Sequence, residues 1–200
     1  MTQHTQRGMT IIEWMIVIAI IAILAVLAAP NFSSFIVSNR IAGGLSDFAD
    51  SVRRAKTEAN AKLLTVTMCI REEKPDTIDP TKEIRKCNTT NTTSWGDGWF
   101  VFLDSNNDET LDNGEEIYEY DALGQQIRFT GDATSTNHIR KIEFNANGGI
   151  LLTKFSGATL NTATEFAICD PQKTIARGIT VTAAGQISTP YVISNANCGF

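Results

Sequence analysis

Apolar residues are concentrated near the start of the chain. Residues 1–8 are polar, and residues 14–29 are apolar without interruption. Crossing a bilayer takes about 20 apolar residues, and residues 9–12 extend the run towards that length if Glu13 is accommodated. A carboxylate inside a membrane segment is costly, which makes Glu13 a candidate functional group. The pattern predicts a membrane-embedded helix over residues 9–30.

Two other interpretations of this apolar run are a cleaved secretory signal peptide and an ordinary signal anchor. A secretory cleavage site needs small residues after the apolar core, and residues 27–29 (Leu-Ala-Ala) fit that requirement only loosely. Pro30 directly after the cut is unfavourable. An ordinary anchor gives no role to Glu13, so a retained helix with a functional glutamate is the preferred interpretation.

The residues after Pro30 predict a second, amphipathic half of the same helix. Apolar residues recur there at alternating spacings of four and three, which places them on one helix face. This stripe comprises Ile41, Leu45, Phe48, Val52, Ala55 and Ala59. Gly43 and Gly44 each cost roughly 1 kcal/mol relative to alanine inside a helix, so we expect a bend or loosening there. The amphipathic half is predicted over residues 31–62.

The remainder, residues 63–200, has the pattern of an antiparallel β-sheet. Short runs rich in β-branched and aromatic residues alternate with turn-forming residues. The runs are LLTVTMCI, WFVFL, EIYEY, QIRF, HIRKIEF, GILLTKF, EFAIC, GITVT and YVIS. Residues 147–149 (Asn-Gly-Gly) fit a hairpin turn, and the polar segment 72–94 is expected to be a surface loop. A long helix followed by many short strands predicts an α+β fold with the sheet packed on the helix stripe.

Composition, charge and the absence of catalytic motifs reduce the number of function classes that fit the sequence. The 200 residues include 17 Lys and Arg against 22 Asp and Glu, a net charge of −5. This acidic balance argues against a general nucleic-acid binder, because phosphate contacts need clustered cations. The sequence contains no nucleophile elbow and no glycine-rich phosphate loop, and His138 is the only histidine outside residues 1–8. We therefore expect a non-enzymatic protein without a cofactor.

The N-terminal residues resemble a known processing signal. They read Gly8, Met9, Thr10, Ile11, Ile12 and Glu13. This run, followed by an apolar helix, resembles the class III signal of type IV pilins and type II secretion pseudopilins. The resemblance implies that prepilin peptidase cleaves after Gly8 and methylates the new N-terminus at Met9. It also implies that Glu13 pairs with the N-terminal amine of a neighbouring subunit, as a buried carboxylate needs a cation. Met9 and Trp14 replace the more common Phe and Leu.

A second resemblance covers most of the remaining chain. Residues 95–116 read WGDGWFVFLDSNNDETLDNGEE. This segment resembles the W-x-x-G-W-x-V-F-x-D-x-N-x-D…D-x-G-E-E motif of the GspH/FimT/FimU group of minor pilins and pseudopilins. Residues 52–59, 66–69 and 168–187 resemble further segments of the same group.

These resemblances imply a pilin fold, which is an α+β fold with a long N-terminal helix packed on an antiparallel head with disulfides. Residues 1–8 would be the leader, 9–30 the filament-core half of the helix, 31–62 its amphipathic half and 63–200 the head. The implied function is that of a minor pilin near the tip of a type IV pilus. Such a subunit helps to initiate assembly and links other minor pilins to the major-pilin shaft. The implied location is the inner membrane with the head in the periplasm, and later the extracellular pilus.

Two alternatives stay open within the same group. A GspH-like pseudopilin of a type II secretion system would share the helix and Glu13, so the N-terminal half does not separate the two. A FimT-like DNA receptor would carry a C-terminal G-R-x-R motif, whereas residues 185–188 read Gly-Gln-Ile-Ser. We therefore expect no DNA binding, although six cations could still cluster in space: Arg128, Arg140, Lys141, Lys154, Lys173 and Arg177.

The acidic strip at residues 95–121 permits a calcium hypothesis. Oxygen-bearing side chains occupy positions 1, 3, 5, 7, 9 and 12 of an EF-hand-like spacing. They are Asp104, Asn106, Asp108, Thr110, Asp112 and Glu115. Glu109 stands at the sixth position, where the sharp turn of that motif needs glycine. A polar turn between two strands is the preferred interpretation, with Asp and Asn as turn residues.

The four cysteines allow three disulfide pairings. The resemblance to pilins places the head outside the cytoplasm, where disulfides persist. We expect Cys69–Cys87 to close the segment between them and Cys169–Cys198 to tie the C-terminal tail to a strand. A zinc site is the alternative, but the sequence has no C-x-x-C pair and only His138 as an imidazole in the head.

Overall fold

The described part of the chain contains one long helix. The computed structural model describes residues 10–75, 83–90, 94–124, 127–132, 137–170 and 176–193. The chain divides into two compact units, residues 1–39 and residues 40–200. Helix α1 runs over Ile11–Lys62 and continues through Pro30. No helix in the described part of the chain combines the length and the mean hydropathy of a membrane-spanning segment.

The two glycines of α1 do not interrupt it. Helical structure continues across Gly43 and Gly44, so the loosening expected there is not observed. Gly44 instead admits a close neighbour, because a Cβ atom at this position would lie 2.7 Å from both terminal methyl carbons of Leu123. This glycine is therefore explained by packing of the segment after the fourth strand against the helix.

The predicted apolar stripe of the helix is confirmed as the core-facing surface. All six of its side chains are at most 1% exposed. Phe48 is central, and its ring centroid lies 5.3 Å from Trp95, 5.7 Å from Trp99, 4.7 Å from Phe129 and 4.9 Å from Phe166. Three of these four pairs are edge-to-face, the arrangement that aromatic quadrupoles favour.

The described head residues form a sheet of eleven strands in which every pairing is antiparallel. The strands are β1 Val66–Pro75, β2 Glu83–Cys87, β3 Trp99–Phe102, β4 Glu116–Tyr120, β5 Arg128–Gly131, β6 Ile139–Phe144, β7 Ile150–Lys154, β8 Thr159–Leu160, β9 Thr164–Cys169, β10 Ala176–Val181 and β11 Tyr191–Val192. The main order is β11-β10-β9-β5-β6-β1-β3-β4, with β2 beside β1, and β7 between β6 and β8. The predicted α+β fold, a helix packed on an antiparallel sheet, is confirmed.

The surface loop expected at residues 72–94 is partly wrong. Strand β1 continues to Pro75 and pairs with β2, so that Arg71 lies opposite Cys87 and Pro75 opposite Glu83. The sequence of this hairpin lacks the alternation of apolar and polar residues by which strands are recognised, and its register is fixed at its base by the Cys69–Cys87 disulfide. Residues 76–82 and 91–93 lie outside the described residues.

The first strand also begins later than its sequence run. The β-type run includes Leu63 and Leu64, but the strand starts at Val66. Leu63 has a φ of +56° and directly follows the helix. Both leucines lie in the connection between α1 and β1.

The hairpin turn expected at residues 147–149 is confirmed between β6 and β7. Asn145 Oδ1 accepts hydrogen bonds from the backbone N–H of Asn147 at 3.2 Å and of Gly149 at 2.9 Å. Gly148 has a φ of +79°, which glycine adopts without a steric cost. The turn therefore has the side-chain and backbone chemistry that the sequence indicates.

Gly96 and Gly98 allow backbone carbonyl groups of other segments to approach closely beside the aromatic core. A Cβ atom at Gly96 would lie 2.3 Å from the carbonyl oxygen of Ile127, and one at Gly98 would lie 2.5 Å from that of Tyr120. Gly98 also has a φ of +102°. The flanking indoles are held by hydrogen bonds, since Trp95 Nε1 donates to Ile139 O at 2.8 Å and Trp99 Nε1 donates to Ser51 Oγ at 3.0 Å.

Alanine substitutions separate close contact from backbone conformation at these glycines. In Gly98→Ala, the new methyl group is too close to Tyr120 O and the residue keeps a positive φ. In Gly114→Ala, only the φ of +91° is unfavourable, because no other atom lies within 4 Å of the new methyl group. We expect Gly98→Ala to lower the free energy of unfolding by about 3 kcal/mol and Gly114→Ala by about 1 kcal/mol. Urea unfolding of the full-length chain in detergent, followed by tryptophan fluorescence, measures both. Equal losses would show that contact with Tyr120 is unimportant.

Candidate functional site

The N-terminal end of α1 carries a reciprocal cap between Thr10 and Glu13. Glu13 Oε2 accepts hydrogen bonds from Thr10 N at 2.8 Å and Thr10 Oγ1 at 3.0 Å, and Glu13 N donates to Thr10 Oγ1 at 3.4 Å. This is the capping-box arrangement, which satisfies backbone N–H groups at a helix start. Glu13 Oε1 has no hydrogen-bond partner in the described part of the chain, so it can accept one from a cation. Gly8 and Met9 lie outside the described residues.

The first turns of α1 expose their apolar side chains. From Ile11 to Leu24, the exposed fraction of the large apolar side chains lies between 39%, at Val17, and 83%, at Ile11. A continuous exposed apolar surface of this kind marks a membrane or protein interaction site.

The head has a second apolar cluster on the sheet face opposite the helix. Side chains alternate along β3, so that Trp99 faces Ser51 of α1 while Phe100 and Phe102 point to the other face. There the two rings pack with Leu111 and with the Cys69–Cys87 disulfide. The predicted Cys69–Cys87 bond is confirmed. Cys169 is also disulfide-bonded, but Cys198 lies outside the described residues, so that pairing stays a prediction.

The loop between β3 and β4 is organised by its own side chains. Asp104 accepts hydrogen bonds from the backbone N–H of Asp108 at 3.1 Å and of Glu109 at 3.2 Å. Asn106 Nδ2 donates to Asp108 at 3.1 Å and to Asp112 at 3.2 Å. Glu115 accepts from Asp112 N at 3.3 Å. Burial raises the pKa of the Asp104 carboxyl, and the two backbone donors oppose that rise.

This geometry favours a turn over the calcium alternative. Asn106 directs its amide nitrogen, not its oxygen, at the carboxylates that a cation would use. In the described part of the chain, no group of three or more His, Cys, Asp or Glu side chains is arranged to hold a metal ion. The carboxylates act as acceptors for the loop backbone, as Asp and Asn do in turns.

Glu109 forms ion pairs between this loop and the sheet. Its carboxylate lies 2.6 Å from Arg140 Nη1 and 2.7 Å from Lys141 Nζ, two consecutive residues of β6. Consecutive strand residues normally point to opposite faces, but the register shifts at Arg140, because Ile139 pairs with Lys154 and Lys141 with Thr153. Both cations therefore reach Glu109. Burial would raise the pKa of Glu109, but these two partners lower it to about 2.

Backbone hydrogen bonds join the same loop to β2. Cys87 N donates to Glu109 O, and Leu111 N donates to Arg85 O, each at 2.8 Å. The loop thus packs on the sheet through its hydrogen bonds to β2, through Leu111 beside the disulfide and through the Glu109 ion pairs. Two cations of β6 pair with a strip that has no Lys or Arg of its own.

Comparison with known protein families identifies the head. Residues 45–185 match the family model described as type II transport protein GspH, which is well over half of the 200 residues. The chain belongs to the GspH family. Residues 3–29 of this GspH-family chain match the prokaryotic N-terminal methylation motif, which includes Gly8, Met9 and Glu13.

A solved structure shares the fold of this GspH-family chain. The type IV minor pilin FimU of Pseudomonas aeruginosa PAO1, in a crystal of space group P21, superposes with a TM-score of 0.50 at 16% identity. The match covers 82% of this chain and 98% of that one. A second FimU crystal form, P65, gives a TM-score of 0.46 at 16% identity over 78% and 98% of the two chains. The first match shows a common pilin fold.

Cations from other elements neutralise part of the acidic strip of this GspH-family chain. Arg85 pairs with Glu116 at 3.1 Å and with Glu119 at 2.8 Å, and Arg71 pairs with Asp121 at 2.9 Å. The sequence patterns do not indicate these pairs, because Arg85 belongs to the segment predicted as a loop and Arg71 lies between that segment and the preceding β-type run.

Three of the six cations considered for a DNA-binding face form ion pairs with carboxylates of the head. Arg140 and Lys141 pair with Glu109, and Lys154 pairs with Asp132 at 2.6 Å. Lys173 lies outside the described residues. A carboxylate partner reduces the charge available to a phosphate, so these pairs weigh against such a face.

Loss of the Glu109 carboxylate is expected to destabilise the GspH-family head. Because the folded-state pKa of about 2 lies below the ordinary 4.5, the ionised group stabilises the fold above pH 4.5, and that stabilisation is lost as the pH falls towards 2. We expect Glu109→Gln to lower the free energy of unfolding by about 2 kcal/mol at neutral pH and to flatten its fall in acid. Urea unfolding at a series of pH values measures this. Asp108→Asn is the matched control, because it retains the Oδ1 acceptor and loses only an exposed hydrogen bond from Asn106, so it should cost much less stability than Glu109→Gln.

Proposed function

We propose that this GspH-family chain is a minor pilin, incorporated near the tip of a type IV pilus. There it helps to initiate assembly and links other minor pilins to the major-pilin shaft, in support of twitching, adhesion and DNA uptake. The observation that carries the proposal is the family match over residues 45–185, joined to the methylation motif over residues 3–29. The fold shared with FimU, described as a type IV minor pilin, supports it.

The N-terminal segment supplies the assembly step. Prepilin peptidase cleaves the peptide bond after Gly8 and methylates the amine of Met9. Glu13 then attracts the methylated amine of an adjacent subunit as the helix leaves the bilayer, which sets the axial register. The free Oε1 atom of Glu13 and the exposed apolar side chains of the first helical turns support this role. A carboxylate in an apolar filament core gains most from such a cation.

The subunit occupies two locations in turn. It is first an inner-membrane protein with its head in the periplasm, and it is later part of the extracellular pilus. The Cys69–Cys87 disulfide supports this assignment, because disulfides persist in oxidising compartments. The head acts through its surfaces and not through catalysis.

A pseudopilin of a type II secretion system is the second candidate. The specific observation in its favour is the description of the matched family model as a type II transport protein. Both candidates use the same helix and the same kind of head. DNA binding is not part of the proposal, since residues 185–188 lack the arginines of G-R-x-R and three candidate cations are in ion pairs.

A deletion strain distinguishes these candidates. We expect surface pili, counted by electron microscopy, to disappear and to return when retraction is disabled, because a priming subunit shifts the balance between assembly and retraction. Protein secretion should stay normal. Normal pili with lost secretion would favour the pseudopilin, and normal pili with lost DNA uptake would favour a DNA receptor.

Single substitutions test the N-terminal assignment. Gly8→Val is expected to leave an unprocessed chain in the membrane, since the peptidase cut follows this residue. Glu13→Gln is expected to be processed but absent from sheared pili, because it keeps the size of the side chain and removes its charge. Mass spectrometry of the N-terminus and immunoblots of sheared pili measure both effects. A processed Gly8→Val chain, or normal pilus content of Glu13→Gln, would contradict the assignment.

A further inference from the structure

Two adjacent leucines of the head are exposed where packing does not require them. Leu63 and Leu64, in the connection from α1 to β1, are 73% and 53% exposed. Leu63 also has a φ of +56°, a left-handed conformation that glycine or asparagine usually adopts after a helix. Neither the core nor the backbone therefore explains a leucine at this position.

The strand register shows what shares this end of the sheet. Thr67 and Val66, at the start of β1, pair with Phe102 and Phe144, the last residues of β3 and β6. The acidic loop leaves the sheet immediately after β3 and returns at the start of β4, where Leu103 N donates to Glu115 O at 2.9 Å. The two leucines and the acidic loop thus lie at the same end of the sheet.

The charges at this end are unbalanced. Asp108 and Asp112 are exposed, and no described lysine or arginine lies within 4 Å of either carboxylate. The nearest cation in sequence to the leucines, Lys62, is 3.5 Å from Glu58 of its own helix. Glu109, by contrast, is neutralised by β6. This end of the head therefore presents apolar surface together with net negative charge.

We propose that Leu63 and Leu64, together with Asp108 and Asp112, form a docking surface for a neighbouring subunit of the filament. The partner surface has an apolar side chain flanked by lysine or arginine. Burial of the leucine pair supplies the affinity, because a few desolvated apolar side chains dominate protein interfaces. The two carboxylates at the same end of the sheet select a basic partner. This inference rests on the proposed filament function.

Substitution of the leucines separates docking from folding. Leu63→Gly removes the side chain and at the same time suits the positive φ, so the thermal stability of the chain should be unchanged or higher. Combined with Leu64→Ser, it is expected to reduce the amount of the chain in sheared filaments about tenfold. Val192→Ser is the matched control, because Val192 is 79% exposed on β11. Wild-type filament content of the double variant would overturn the proposal.

Crosslinking identifies the partner. A photo-crosslinking amino acid at position 64 of the full-length chain is expected to capture a second filament subunit with a processed, methylated N-terminus, and the same probe at position 192 is not. Asp108→Asn with Asp112→Asn should weaken the crosslink, whereas Asp50→Asn, on α1, should not. If the chain is present in filaments, any of three outcomes would overturn the docking surface. These are equal capture at both positions, no capture at position 64, and capture of a second copy of this chain. Absence of the chain from all filaments would instead refute the proposed function.

Discussion

The packing of Phe48 against four aromatic rings is the contact on which the head depends. Those rings come from a 3-10 turn at Trp95, from β3, from β5 and from β9, so one helical side chain holds together segments that are far apart in the sequence. Close approach is possible only where Gly96 and Gly98 leave space for carbonyl groups of other segments. The spacing of tryptophans and glycines in this stretch is therefore a requirement of core geometry.

The helix and most strands can be predicted from the sequence, because residues that face a core recur with the period of the element that carries them. The stripe from Ile41 to Ala59 and the β-branched runs are examples. The turn at Asn145 is predicted by its local sequence, since the Asn145 side chain accepts hydrogen bonds from the turn backbone. The hairpin of β1 and β2 has no apolar alternation, so its pattern resembles a loop. The partners of Glu109 depend on a register shift at Arg140, which a linear pattern does not encode.

Both faces of the central sheet are covered, and different kinds of interaction stabilise the two sides. The helix side is an aromatic and aliphatic core, whereas the other side combines a small apolar cluster with a disulfide and nearly buried ion pairs. At the N-terminus, Thr10 gives Glu13 a local partner within its own chain. Glu13 Oε2 thus caps the helix, whereas Glu13 Oε1 has no hydrogen-bond partner among the described residues. The proposed assembly role would use this second oxygen.

The position of β1 has a mechanical consequence. It follows α1 after a short connection and lies between β3 and β6, with antiparallel hydrogen bonds to both neighbours. A force transmitted through α1 therefore reaches a strand that two ladders hold in the sheet, whereas an edge strand is held by one. In the proposed filament role, this order of strands would oppose unfolding of the head when the helix is pulled.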